Sequence, residues 1–199
     1  MTTKTDNHAE EQAAAQYSSI VRMLAALTCD YDRLQELRDE CEELLTLRKE
    51  CLTLRQAQAQ QGASKSATEA LVLFECESGD RLRELEDLLE SELEELAELE
   101  DAAGECTDED EARQIIQEDP LEVQVRSDWT NPGETLEAGE FMILLCTGGP
   151  AVRIVGELNR GEPCRAWLEY QDWGTPWTQW FGVSSDTLCE YAANFFFGE

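Results

Sequence analysis

Residues 141–158 read FMILLCTGGPAVRIVGEL. The run Phe141-Met142-Ile143-Leu144-Leu145-Cys146 reads as a buried strand, and Thr147-Gly148-Gly149-Pro150 as a tight turn. Ala151 to Leu158 is the next strand. Asn159-Arg160-Gly161-Glu162 turns the chain again, and Cys164 to Tyr170 returns. Short apolar runs separated by turns of this chemistry form an antiparallel meander. Working outward, Leu121, Val123 and Val125 alternate with Glu122, Gln124 and Arg126, the pattern of a half-exposed strand, and Asn131-Pro132-Gly133 follows it as a turn. On the other side, Asp172 to Pro176 makes a loop and Trp177 to Phe181 an edge strand. Ser184-Ser185-Asp186 then caps a last helix running to about Asn194.

Upstream of Pro120 the period is helical. Ile20, Leu24, Leu27, Tyr31, Leu34, Leu37, Cys41 and Leu44 recur every three or four residues, so residues 12–58 form one long amphipathic helix or two shorter ones. The break in the second case falls at Thr28-Cys29-Asp30, where Thr28 or Asp30 can cap a new helix. Ala67 to Cys76 is apolar and suits either a short helix or a strand, and Ser78-Gly79-Asp80 punctuates the chain after it. Leu82, Leu85, Leu89, Leu93, Leu96 and Leu99 then mark another helix, ended by Ala102-Ala103-Gly104. Thr107-Asp108-Glu109-Asp110 reads as a capping box before one or two further turns. The expected class is α+β: an N-terminal helical hairpin or short coiled coil, then a small antiparallel β-sheet domain with a C-terminal helix. The expected division is a disordered tail over 1–10, an acidic helical region over 11–104, a short helical connector over 105–119 and an aromatic-rich β domain over 120–199.

The 199 residues carry 44 acidic and 15 basic side chains, a net charge of -29. Residues 1–119 hold 32 acids against 11 bases, and residues 120–199 hold 12 against 4. From Glu84 to Glu111 there are 15 acids and no Lys or Arg. Such a surface repels phosphate, which argues against direct nucleic-acid binding and against an anionic membrane as partner. A protein with a basic surface is the expected partner. Pairing of the helical stripes within one chain or between two chains, a homodimer, are both open. The N-terminal stretch MTTKTDNHAEEQ lacks an apolar signal region, and no run approaches a membrane span. The eight cysteines therefore read as reduced residues used as small apolar side chains.

Glu111-Ala112-Arg113, Gln117-Glu118-Asp119-Pro120-Leu121 and Val125-Arg126-Ser127-Asp128-Trp129 lead into two further stretches, Leu144 to Ala151 and Leu168 to Trp177. Together they resemble a family of small acidic proteins commonly encoded by bacteriophages and prophages. The resemblance covers roughly the last hundred residues. It implies a phage setting and a bacterial host cytoplasm, and it supplies no catalytic or binding residues.

Two surfaces are candidates for function. Glu92, Glu94, Glu95, Glu98, Glu100 and Asp101 lie on the acidic helix, where carboxylates about 1.5 Å apart in rise approach the charge spacing of duplex DNA, about 1.7 Å. They are expected to meet a protein that binds nucleic acid, as a DNA mimic with an anti-defence role. The plainer reading is a solvated face that keeps a Leu-rich helix soluble. Trp173 and Trp177, in a Gly/Pro-containing loop, are expected to be partly exposed and to dock a partner. The alternative function follows from them: an assembly protein whose helices oligomerise and whose aromatic domain docks. Enzyme activity is not expected. His8 is the sole histidine, no Cys-x-x-Cys pair exists, and Gly148-Gly149 lacks the rest of a phosphate loop, so no metal or cofactor is expected.

Overall fold

The computed structural model describes residues 8–60, 67–127, 129–133 and 135–198, with side chains described in all of these except 54, 55, 57–60 and 67–81. The chain is α+β. Its elements are α1 (His8–Leu27), α2 (Tyr31–Gln60), α3 (Ala67–Ala103), α4 (Glu109–Glu118), β1 (Glu122–Ser127), β2 (Ala138–Cys146), β3 (Ala151–Asn159), β4 (Glu162–Gln171), β5 (Thr178–Trp180) and α5 (Ser185–Ala192). They cluster into two compact units. One combines Met1–Thr28 with Glu105–Glu199, and the other is Cys29–Gly104.

In the first unit the five strands form one antiparallel sheet in the order β1-β2-β3-β4-β5; β2, β3 and β4 are the expected meander, and β1 and β5 extend it on either side. Alternation puts Phe141, Ile143 and Leu145 of β2, Val152 and Ile154 of β3, and Ala166 and Leu168 of β4 on one face. Ile20 and Leu24 of α1, Ile116 of α4, and Leu188 and Tyr191 of α5 close that face into the core, and Phe197 packs on Phe141. Gly156 lies opposite Phe141, where a Cβ would come within 2.4 Å of the Phe141 ring and of the Arg165 carbonyl. The glycine thus lets the aromatic ring lie directly on the strand. The opposite face carries Arg153, Glu169 and Trp167 beside the aliphatic Met142, Leu144 and Val155.

Two boundaries differ from the sequence expectation. His8 opens α1 and Ala9 is buried, so residues 8–10 are ordered helix and not part of a tail. Residues 1–7 lie outside the described set. And α1, expected with the helical region 11–104, contributes Ala13, Ile20 and Leu24 to the sheet core. Tyr17 fixes this placement: its hydroxyl accepts from the Ser184 N–H at 3.2 Å, and its ring meets Trp180 edge-on at 5.9 Å. The connector helix α4 is likewise part of this unit. Its N-cap is Asp108, whose Oδ1 accepts from Glu111 N–H at 2.8 Å, while Glu111 Oε2 accepts from Thr107 N–H and hydroxyl. The capping residue is therefore one position later than the box read at Thr107. Ser184 caps α5 as expected.

The second unit is the antiparallel pair α2 and α3. The break falls at Thr28-Cys29-Asp30, with Asp30 as the cap accepting from Arg33 N–H at 3.0 Å. Helix α3 is continuous from Ala67, so Ala67–Cys76 is helical and Ser78-Gly79-Asp80 does not interrupt it. A glycine inside a helix costs about 1 kcal/mol, too little to stop thirty-seven residues of otherwise strong helix formers.

Candidate functional site

Which carboxylates of α3 face outward is decided by the seam it makes with α2. On α2, Leu34, Leu37 and Cys41 are buried, and Leu44 and Arg48 continue the same row half-buried. On α3 the row is Leu82, Leu85, Leu89, Glu92, Leu96, Leu99 and Ala103, spaced alternately three and four. Glu92 occupies a seam position in this row and Leu93, expected there, is exposed. A heptad-like seam tolerates one polar residue when a partner meets it, and here Arg33 reaches Glu92 at 3.5 Å.

Three arginines of α2 hold the inner carboxylates. Arg33 bonds Glu95 at 3.0 Å and Glu40 at 3.2 Å, with Glu36 at 3.8 Å. Hydrogen bonding to Glu95, with the charges of Glu95 and Glu40, holds the Arg33 guanidinium still more firmly protonated than usual. Arg38 binds Glu100 at 3.0 Å and Arg48 binds Glu86 at 3.4 Å. The six candidate acids thus separate. Glu92, Glu95 and Glu100 are engaged within the hairpin, whereas Glu94, Glu98 and Asp101 are exposed and make no ion pair among the described residues. With Asp87 and Glu90, which are exposed in the same way, those three form a line of carboxylates at spacings of three and four along one side of α3. The sequence already held this line. What hid it was the placement of the seam, which the Leu93 reading set one residue off.

The two tryptophans separate as well. Trp173 is 82% exposed, and its ring lies on Gly149, where a Cβ would sit 1.9 Å from the indole nitrogen. Its Nε1 donates to the Gly148 carbonyl at 3.1 Å. Gly149 has φ +82, a conformation that glycine adopts freely. The loop behind Trp173 is tied by Asp172 and Thr175, which exchange three hydrogen bonds of 2.9–3.1 Å, so the indole is held on a firm base. Trp177 is half-buried beneath the Arg153 guanidinium, 4.1 Å from its ring centroid. Arg153 in turn pairs with Glu169 at 2.7 Å, and Glu169 accepts from Trp167 Nε1 at 3.0 Å. Trp177, Arg153, Glu169 and Trp167 therefore make a connected row on the open sheet face, and Arg153 also lines a shallow depression with Gln124, Arg126, Met142 and Val155. Trp129, Phe181 and Phe196 are as exposed as Trp173 or more so, and the sequence reading did not single them out as docking residues.

Four of the described thiols sit where the thiolate is disfavoured. Burial pushes the Cys29, Cys41, Cys146 and Cys189 thiols up, with neighbouring carboxylates adding to the effect at Cys41. That is the reverse of what a reactive thiolate requires. Cys51 and Cys164 are exposed free thiols and depart from the expected buried role. Among the described residues no three His, Cys, Asp or Glu side chains are grouped to hold a metal ion, and no helix is long and apolar enough to cross a membrane. No protein-family model, no curated protein and no solved structure matches this chain.

Proposed function

We propose that this chain is a non-catalytic accessory protein of a bacteriophage or prophage, and that it binds another protein in the bacterial cytoplasm through the outward carboxylate line of α3. The occupant of that line is a basic groove on a nucleic-acid-binding host protein, such as a defence nuclease, which the carboxylates enter in place of phosphates. One observation carries the reading: Arg33, Arg38 and Arg48 are spent on the inner acids, and the outer line Asp87, Glu90, Glu94, Glu98 and Asp101 is left with a single sign. Its ends are fourteen residues apart, about 21 Å of helix, giving roughly one charge per turn. One strand of duplex DNA carries a charge about every 3.4 Å. The line therefore imitates a phosphate backbone at lower density. Neighbouring like charges at these spacings cost about 0.2–0.5 kcal/mol per pair, a penalty that a purely solubilising surface avoids by mixing signs.

The immobilised chain, offered a bacterial lysate, is expected to retain proteins that short duplex DNA elutes competitively. Retention that survives both excess duplex and high salt refutes the reading. A second reading, docking through the aromatic domain, is favoured by the rigid presentation of Trp173 on the Gly148–Gly149 turn. In that case Trp173→Ala abolishes capture and neutralising the α3 line leaves it intact.

A further inference from the structure

The sheet has two ends, and they are treated differently. At the β5 end the strand is three residues long and follows Pro176, and the adjoining part of β4 is closed by α5, with Ser185 Oγ accepting from Ala166 N–H at 3.0 Å. At the β1 end nothing comparable is present among the described residues. Helices α1 and α5 pack on β3 and β4, and Glu122 through Arg126 are all exposed. Val123 and Val125 lie opposite Ile143 and Phe141, on the side where the core forms, yet they remain open to solvent. Leu121 just before the strand and Trp129 just after it are exposed too. A strand edge with unpaired backbone groups and uncovered apolar side chains is a template for another strand.

We propose that the other strand is β1 of a second copy of this chain, paired antiparallel about a two-fold axis through Gln124, so that the two sheets run on as one. The charge pattern Glu122-Val123-Gln124-Val125-Arg126 selects both the occupant and the register. Centred on Gln124, Glu122 of each copy faces Arg126 of the other, and Val123 faces Val125. Centring on Val123 or Val125 instead sets a charged residue against Gln124, and a slip of one residue sets valine against a polar side chain and on the wrong face. In the proposed register Arg126, already paired in its own chain with Glu140, lies between that carboxylate and Glu122 of the second copy. The row acid–base–acid then crosses three adjacent strands. In the same register Ser127 faces the exposed Leu121 of the other copy. Residues 122–126 have no net charge, so the contact is locally neutral although each chain carries -29. A symmetric contact of this kind closes on itself as a dimer.

Sedimentation equilibrium of the full chain tests this, together with hydrogen exchange. The expected result is a dimer whose β1 amides are protected in a concentration-dependent manner. Glu122→Arg, which sets arginine against Arg126, is expected to weaken dimerisation about tenfold or more. The double variant Glu122→Arg/Arg126→Glu restores opposite signs across the axis and recovers part of the loss, the remainder reflecting the like charge then set against Glu140. Since Glu122 is exposed on an edge, the single variant leaves the fold intact, as far-UV circular dichroism should verify. A chain that stays monomeric overturns the proposal. So does a dimer that is indifferent to Glu122→Arg and whose β1 amides exchange equally at all concentrations, because its contact then lies elsewhere.

Discussion

Tyr191 shows how a single side chain ties the sheet unit together. Its ring is fully buried, and its hydroxyl donates to Asp119 Oδ2 at 2.6 Å, linking α5 to the residue that ends α4. Burial, reinforced by the hydrogen bond and charge of Asp119, pushes the phenol above its ordinary value of about 10. The sign of the linkage follows. Above the unfolded pKa the unfolded chain has released this proton and the folded chain has not, so the unfolded state binds fewer protons and stability falls as pH rises. Below pH of about 10 the contribution is complete. Tyr191→Phe is expected to cost about 1–3 kcal/mol near neutrality, since it removes a buried hydrogen bond to a charged group. It should also lose less stability than the parent between about pH 9 and 11. Urea unfolding across that range checks both. Equal alkaline losses in the two proteins would assign the effect to other groups, the buried thiols first among them.

At the scale of elements, ordinary sequence logic reached far into the β domain and less far into the helices. The turns at Thr147–Pro150 and Asn159–Glu162 and the apolar runs beside them led to β2, β3 and β4, because turn chemistry and strand periodicity act locally. Ser184 was legible as a cap for the same reason. What α1 covers was not, because the stripe Ala13, Ile20 and Leu24 states only that one side is apolar. It pairs equally well with a helix or a sheet, and Tyr17 decides between them through a bond to Ser184, 167 residues away. The seam of α3 was shifted because Leu93 looks the better core residue, whereas the actual row passes through Glu92. A half-buried carboxylate is acceptable there only because Arg33 stands across the seam, a long-range fact. Of the exposed aromatic side chains, Trp173 was legible from its Gly-containing loop, and a similar signal stands beside Trp129 at Asn131-Pro132-Gly133 and beside Phe181 at Gly182.

The Arg33 cluster also makes a prediction at this scale. Glu36, Glu40, Glu92 and Glu95 surround one guanidinium. Arg33→Gln leaves four carboxylates facing each other, so the hairpin should melt at lower temperature in low salt. Added salt, which screens the repulsion, should recover a good part of the loss. Thermal melts followed at 222 nm with increasing sodium chloride measure this directly. An unchanged melt at low ionic strength would show that the cluster contributes nothing.

For the whole molecule, the acidity is organised in two ways at once. The inner carboxylates of α3 hold α3 to α2, and the outer ones serve the proposed binding surface. The two roles predict opposite responses to neutralisation. Glu92, Glu95 and Glu100 changed together to Gln strip the arginines of their partners. The outer set Glu94, Glu98 and Asp101, changed to Gln or Asn, removes only mutual repulsion. The decisive measurement is capture of DNA-displaceable protein from a bacterial lysate by these two variants, with melting temperatures taken alongside. The inner variant is expected to melt lower than the parent yet still capture at temperatures where it is folded. The outer variant is expected to melt at the same temperature or higher and to capture nothing that duplex DNA displaces. An outer variant that captures as well as the parent would contradict the account.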